Sequence, residues 1–194
     1  GLIKPTSGQI FIDNKNLESF KRNDILARIN FASPYIELPK KLTVRQNLEV
    51  YGRLYGIENR KERIEEISED LNIKDFFHRK TGELSSGQKN RVSLAKSLIN
   101  KPEILLLDEP TASLDPDIGD FVRSCIQDYS SKNKVTILLA SHNMAEVERL
   151  CDSIIMMKSG KIIDRGTCNE IIDKHGRNNL EETFLKLARS KDEF

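Results

Sequence analysis

Runs of consecutive apolar residues alternate along this chain with segments whose apolar residues recur at helical spacing. The clearest run is Glu103–Pro110, where four apolar residues lead into a charge pair and a proline, and Val135–Ala140 is a second. Such runs are typical of parallel strands that are buried on both faces. We therefore expect the first run to be a strand of this kind, the second to be another apolar strand, and Arg28–Ala32 to be a strand.

Helical spacing predicts the elements between these strands. Thr43 is suited to begin a helix that carries Leu48 on its apolar face, and Gly56 is suited to end it. The predicted helices are Asn23–Ile29, Thr43–Gly56, Asn59–Leu71, a helix opened by Ser85 and Ser86, Pro116–Tyr129, a helix with Met144, Val147 and Leu150 on one face, and Leu180–Ala188. A short strand is expected at Gln9–Asp13 and a hairpin at Asp152–Arg165. The pattern predicts an α/β fold, with a mostly parallel sheet and flanking helices.

Composition narrows the class of protein. The chain has 194 residues, of which 38% are hydrophobic and 31% charged, and its net charge is +1. This length suits one domain with a sizeable core, and the near-zero charge gives no bulk attraction to nucleic acid or anionic lipid. No apolar run approaches the roughly 20 residues that span a bilayer. The three cysteines show no metal-ligand spacing, which fits reduced thiols in a cytoplasmic compartment.

Two adjacent carboxylates close the first apolar run. Asp108 and Glu109 stand at the carboxyl end of the predicted strand, where functional groups collect in α/β folds. Because successive strand side chains point to opposite sides, the two acids cannot do the same job. We expect one to hold a hard cation, directly or through water, and the other to polarise a water.

A Ser/Gly turn opens the helix that precedes this strand. Ser85 and Ser86 can cap that helix, and Gly87 allows close approach to its free backbone N–H groups. A helix N-terminus of this kind is suited to bind phosphate. An ordinary capped helix would show the same residues, so it is the combination with the two carboxylates that favours a phosphate site.

Four motifs in this order resemble the ATPase domain of ATP-binding cassette (ABC) transporters. They are the signature LSSGQ at Leu84–Gln88, the Walker B strand ending in Asp108 and Glu109, the D-loop Ser113–Asp115 and the switch histidine His142. The likeness runs from the opening GLIKPTSGQI to the end of the chain. It implies a P-loop NTPase-like fold, with residues 1–194 as one ATPase domain and a helical subdomain at approximately 43–82 that carries the signature motif.

The resemblance also implies an ATPase that uses ATP and Mg²⁺. Asp108 would hold the magnesium ion, Glu109 would act as general base on the attacking water, and His142 would stabilise the departing γ-phosphate. The signature would bind the ATP held by a second domain, and the D-loop would couple the two sites. The residues implied in these two roles are Leu84, Ser85, Ser86, Gly87 and Gln88 for the signature, and Ser113, Leu114 and Asp115 for the D-loop.

Two departures from the family pattern change the expectation. The Walker A pattern Gly-x-x-x-x-Gly-Lys-Ser/Thr, whose amides and lysine cradle the triphosphate, is absent from these 194 residues. We expect an N-terminal truncation, so that the full-length protein is an ATPase while this chain binds ATP poorly and is inactive by itself. The second departure is in the Q-loop, where the family has a glutamine and the nearest equivalent here is Ser33 or Pro34.

The implied partners are a transmembrane permease subunit and a second ABC ATPase domain, identical or different, with no nucleic acid. The protein would lie at the cytoplasmic face of the membrane, held peripherally through the permease. Four apolar or aromatic residues are candidates for that contact: Tyr35, Ile36, Leu38 and Tyr51. The closing pattern Leu180–Ala188 is similar to the exporter-type branch of the family.

Two other functions stay open at this point. A soluble ABC ATPase acting on translation or DNA would carry a tandem domain or a long insertion, and the interval from Thr43 to Thr81 is too short for one. A non-hydrolysing partner subunit would use its signature to complete a site on another chain, but Glu109 and His142 argue against that for the full-length protein.

Overall fold

The computed structural model of the protein describes residues 3–19, 21–34 and 36–189. Tyr35 lies outside the described residues. The strands are β1 (Phe11–Ile12), β2 (Lys15–Asn16), β3 (Ile29–Ala32), β4 (Ile104–Asp108), β5 (Thr136–Ala140), β6 (Ile154–Lys158) and β7 (Lys161–Gly166). The helices are α1 (Arg22–Arg28), α2 (Val44–Leu54), α3 (Arg60–Asp70), α4 (Ser86–Leu98), α5 (Pro116–Asn133), α6 (Met144–Leu150), α7 (Cys168–His175) and α8 (Leu180–Arg189). The chain forms two compact units, residues up to 138 and residues from 139 onward.

The sheet of the first unit has the order β3, β4, β5. β3 and β4 are parallel, with Ile29 opposite Ile104 and Ala32 opposite Leu107. Their carboxyl ends therefore meet at one edge, which carries Ser33 and the carboxylates. The expectation that Glu103–Pro110 is buried on both faces is wrong: Leu105 and Leu107 are buried, whereas Ile104 and Leu106 are half-buried. In β5, Leu138 is 64% exposed.

Capping residues mark the start and the end of α2, which follows β3 in the chain. The Thr43 hydroxyl accepts a hydrogen bond from Gln46 N, while the Gln46 side chain accepts one from Thr43 N, which forms a capping box at the start of α2. Gly56, with φ +67°, follows the end of the helix as predicted. α2 and α3 bury Leu48, Ile64 and Ile67. No helix among the described residues is both long and apolar enough to cross a membrane.

α5 begins at Pro116, as predicted. Asp115 occupies the N-cap position, and its side chain makes no capping hydrogen bond. The helix continues to Asn133, beyond the predicted end at Tyr129. Lys134 then takes a left-handed conformation, which ends it.

The second unit is built around the predicted hairpin. β6 and β7 are antiparallel, and both turn residues, Ser159 and Gly160, have positive φ, as a two-residue turn between twisted strands requires. The hairpin, α6, α7 and α8 enclose a core of Val147, Ile154, Met156, Ile171, Leu180 and Leu187.

Candidate functional site

The ends of two adjacent parallel strands place Ser33 beside Asp108. The Ser33 hydroxyl donates a hydrogen bond of 3.1 Å to Asp108 Oδ2. Ser33 is buried and Asp108 half-buried. Magnesium in proteins is commonly bound through one or two carboxylates and several waters, and Ser33, a candidate for the Q-loop position, lies within hydrogen-bond distance of such a carboxylate. In the described part of the chain, no group of three or more acidic, histidine or cysteine side chains is arranged to hold a metal ion.

Glu109 leaves the strand in an unusual conformation. Its φ is +49°, in the left-handed region that glutamate rarely adopts. The chain then turns: Ala112 N donates to Glu109 O at 3.0 Å, and Pro110 and Thr111 are buried. β4 ends at Asp108, so the expected alternation of strand side chains does not extend to Glu109, and the different roles of the two acids stay a prediction.

The signature turn forms the start of α4. Ser85 is the N-cap residue, and its hydroxyl accepts from Gln88 N at 3.2 Å. Gln88 Oε1 accepts in return from Ser85 N at 3.1 Å. The capping box thus occupies the oxygen of Gln88 and leaves its amide nitrogen as the donor. Ser86 is exposed and Gly87 is buried against Ile118.

The strand end, the signature helix and the D-loop share one cleft of about 390 Å³. Its lining includes Ser33, Ser86, Asn90 and Ser113. Ser113 is exposed and has φ +58°, and Asp115 is also exposed. The D-loop residues thus stand at the surface beside the signature turn, where a partner domain can reach them.

Residues Ser141 and His142 belong to the second unit. The Ser141 hydroxyl donates to Glu146 Oε2 at 2.6 Å, and Asn143 caps α6 by accepting from Glu146 N. Glu146 is fully buried. This network holds the segment around His142, whose role as the switch histidine stays a prediction.

Two side chains of α4 that sequence reasoning did not identify tie the helix to the site. Asn90 Nδ2 donates to Pro110 O at 2.7 Å, directly after Glu109. Lys96 Nζ donates to Phe31 O at 2.8 Å, near the end of β3. Burial lowers the pKa of Lys96. The carbonyl partners of these two side chains are not readable from sequence.

The candidate permease contacts differ in exposure. Ile36 is 44% exposed, whereas Leu38 is buried in the core. Tyr51 is half-buried, with Lys96 Nζ 5.6 Å from its ring centroid. Leu38 is therefore not available for a surface contact in this structure.

Comparison with known protein families and sequences gives consistent matches. The family model described as "ABC transporter" matches residues 1–112. The ABC transporter ATP-binding protein NatA of Bacillus subtilis (strain 168) is 35% identical over 97% of this chain and 77% of its own length. Methionine import ATP-binding protein MetN 3 of Shouchella clausii is 32% identical, over 99% of this chain and 58% of the relative. Nod factor export ATP-binding protein I of Rhizobium sp. (strain N33) is 34% identical, over 90% of this chain and 58% of the relative.

Solved structures show the same fold. An ATP-binding subunit of an ABC transporter superposes with a TM-score of 0.84 at 23% identity, over 96% of this chain and 79% of that one. The dimeric post-hydrolysis state of the ATP-binding cassette MJ0796, bound to ADP and Pi, has a TM-score of 0.75 at 26% identity, over 86% of this chain and 75% of that one. The chain thus spans about three quarters of these structures and little more than half of some sequence relatives.

Proposed function

Because this chain belongs to the ATP-binding subunits of ABC transporters, we propose that its full-length protein hydrolyses ATP in a head-to-tail dimer and thereby drives a membrane permease. The resemblance predicted from the four motifs, the α/β fold and the ATPase class are confirmed by the family match and the relatives. One observation carries the proposal for this chain: Ser33 donates a hydrogen bond to Asp108, the residue before Glu109, at the end of two parallel strands, in the unit that also presents the signature turn.

Each residue has a distinct task in the proposed hydrolysis. Asp108, with Ser33, would hold Mg²⁺, which when bound offsets the charge of the phosphates. Glu109 accepts a proton from the attacking water as the water oxygen bonds to the γ-phosphorus. The bridging bond between the β- and γ-phosphates breaks, and its electron pair leaves with ADP. His142 stabilises the departing phosphate. Catalysis of this kind is mostly positioning and charge stabilisation.

The signature turn acts on the ATP of the partner domain. Ser86, the amide of Gly87 and the amide nitrogen of Gln88 are the donors offered at the N-terminus of α4, where the helix dipole favours an anion. Ser113, Leu114 and Asp115 would report the state of one site to the other. The exposure of Ser86, Ser113 and Asp115 supports a site completed between two domains.

The permease contact and the direction of transport are also part of the proposal. The exposed apolar residues Val50 and Leu54 lie on α2, within the helical subdomain proposed at approximately 43–82, and the exposed Ile36 precedes that subdomain. We place the protein at the cytoplasmic face of the membrane, held through that contact. Export is favoured by the closing pattern of α8, and the relatives named above include proteins described for import and for export.

Mixing two inactive variants tests the shared site. Both are made in the protein that the whole reading frame encodes. Ser86→Arg blocks the signature and keeps Glu109, while Glu109→Gln removes the base and keeps the signature. In a mixed dimer one site combines an intact base with an intact signature, so the mixture should hydrolyse ATP although neither variant does alone. Turnover that stays absent on mixing, with dimers present by sedimentation, would contradict the head-to-tail arrangement.

A further inference from the structure

A hydrogen bond from the signature helix holds the turn that carries the predicted general base. Asn90 Nδ2 donates to Pro110 O at 2.7 Å, and Pro110 directly follows Glu109. Pro110 is buried and Asn90 half-buried. A buried carbonyl that loses its donor destabilises the folded state, so this contact constrains where the turn can lie.

The turn needs such a constraint because its backbone is not in a relaxed conformation. Glu109 has φ +49° and Ser113 has φ +58°. Non-glycine residues keep left-handed conformations only when the surrounding structure determines them. Within the turn, Ala112 N donates to Glu109 O at 3.0 Å. Asn90 adds a contact from outside the turn, made by a different element.

The same helix reaches both ends of the site. α4 begins at the signature turn, and its first residues pack so closely on α5 that a Cβ at Gly87 would lie 2.8 Å from Ile118 Cδ1. About one helical turn later, Asn90 contacts the segment after Glu109. A shift of the signature turn would therefore move the donor that holds Glu109.

We propose that Asn90 is a positioning residue for Glu109 and links the signature turn of this subunit to its own general base. The inference rests on the proposed ATPase function. Asn90 touches neither the water nor the phosphate, and it acts by fixing the peptide that follows the base.

The test uses isosteric variants in the chain extended upstream. Asn90→Asp keeps the shape of the side chain and replaces its donor by an acceptor. Asn133→Asp is the matched control, because Asn133 Nδ2 makes a similar bond of 2.9 Å to Tyr129 O at the far end of α5. Because small misplacements of a reacting group cost up to about 100-fold, we expect Asn90→Asp to lower kcat by about 10- to 100-fold. The KM for ATP should stay unchanged, and Asn133→Asp should leave kcat unchanged. Asn90→Gln, which keeps the amide donor, should be faster than Asn90→Asp.

A double-variant cycle separates positioning from general destabilisation. Glu109→Gln has no steady-state turnover, so the cycle uses single-turnover assays with enzyme in excess, which detect its slow residual hydrolysis; there the loss from Asn90→Asp should vanish in the Glu109→Gln background, because no base is left to position. Exchange of the Ala112 amide hydrogen should also accelerate in Asn90→Asp and not in Asn133→Asp. The inference is overturned if the rate of the double variant is reduced by the product of the two single-variant reductions. It is also overturned if Asn90→Asp keeps wild-type kcat. If Glu109→Gln alone keeps wild-type turnover, the proposed function itself fails.

Discussion

Gly87→Ala should destabilise the protein when residue 118 is isoleucine and stabilise it when residue 118 is alanine. Gly87 lies in the first turn of α4 and is buried. A Cβ there would lie 2.8 Å from Ile118 Cδ1 and 3.1 Å from Ile118 Cγ2. Both distances are shorter than ordinary carbon contacts, so Ile118 must move in Gly87→Ala. The Cδ1 atom can rotate away, whereas the branched Cγ2 can move only with the backbone or with χ1.

Two opposing contributions set the change in the free energy of unfolding caused by Gly87→Ala. Replacing glycine by alanine inside a helix stabilises by about 0.5–1 kcal/mol, because the unfolded chain loses freedom. Overpacking a closely packed contact costs about 1–3 kcal/mol. In the wild-type background we therefore expect Gly87→Ala to destabilise the first unit by about 1 kcal/mol. In an Ile118→Ala background the obstructing atoms are gone, and the same change should stabilise by about 0.5 kcal/mol.

Urea unfolding of the four chains, with and without each change, measures the coupling. The helix term is common to both backgrounds, so the sign reversal isolates the contact between Gly87 and Ile118. Gly87→Ala that stabilises the wild-type background, or that destabilises both backgrounds equally, would refute the packing argument.

Two further predictions concern a helix cap and a buried ion pair. Thr43→Ala should destabilise the first unit by about 1 kcal/mol in urea unfolding through loss of the α2 capping box, whereas Thr43→Ser, which keeps the hydroxyl, should cost less. In the second unit Asp164 is buried, and although burial raises its pKa, hydrogen bonds from Lys174, His175 and Arg165 N outweigh this and lower it. A lowered pKa contributes stability that is present above the unfolded value of about 4 and is lost as pH falls through the folded value. Asp164→Asn should therefore cost about 2 kcal/mol at pH 7, and the gap to wild type should narrow below about pH 4. A gap that is independent of pH would contradict the ion-pair account.

Local signals in the sequence predicted the elements of the site well. Thr43 and Ser85 begin their helices as expected because each has a glutamine three residues later, and a capping box needs only neighbours in sequence. The meeting of Ser33 with Asp108 follows from two parallel strands ending at one edge.

Contacts between distant segments were not predictable in the same way. The left-handed conformation of Glu109 has no signature in its residue type, and the bond from Asn90 to Pro110 O depends on how α4 packs on the strand end. α7 was missed as well, although Thr167 and Glu170 form a capping box that marks its start. Its eight residues give a short apolar pattern, and the ion pair with Asp164 spans β7 and α7.

In the proposed mechanism, Glu109 serves as the base of a magnesium-dependent ATPase. The most direct measurement is phosphate release from Mg-ATP by this chain and by the chain extended upstream, each with Glu109 and with Glu109→Gln. We predict that the extended chain turns over, that Glu109→Gln abolishes turnover while ATP binding is kept, and that the chain as given releases no phosphate. An extended chain that binds Mg-ATP and shows the same turnover with glutamine at position 109 would contradict the account.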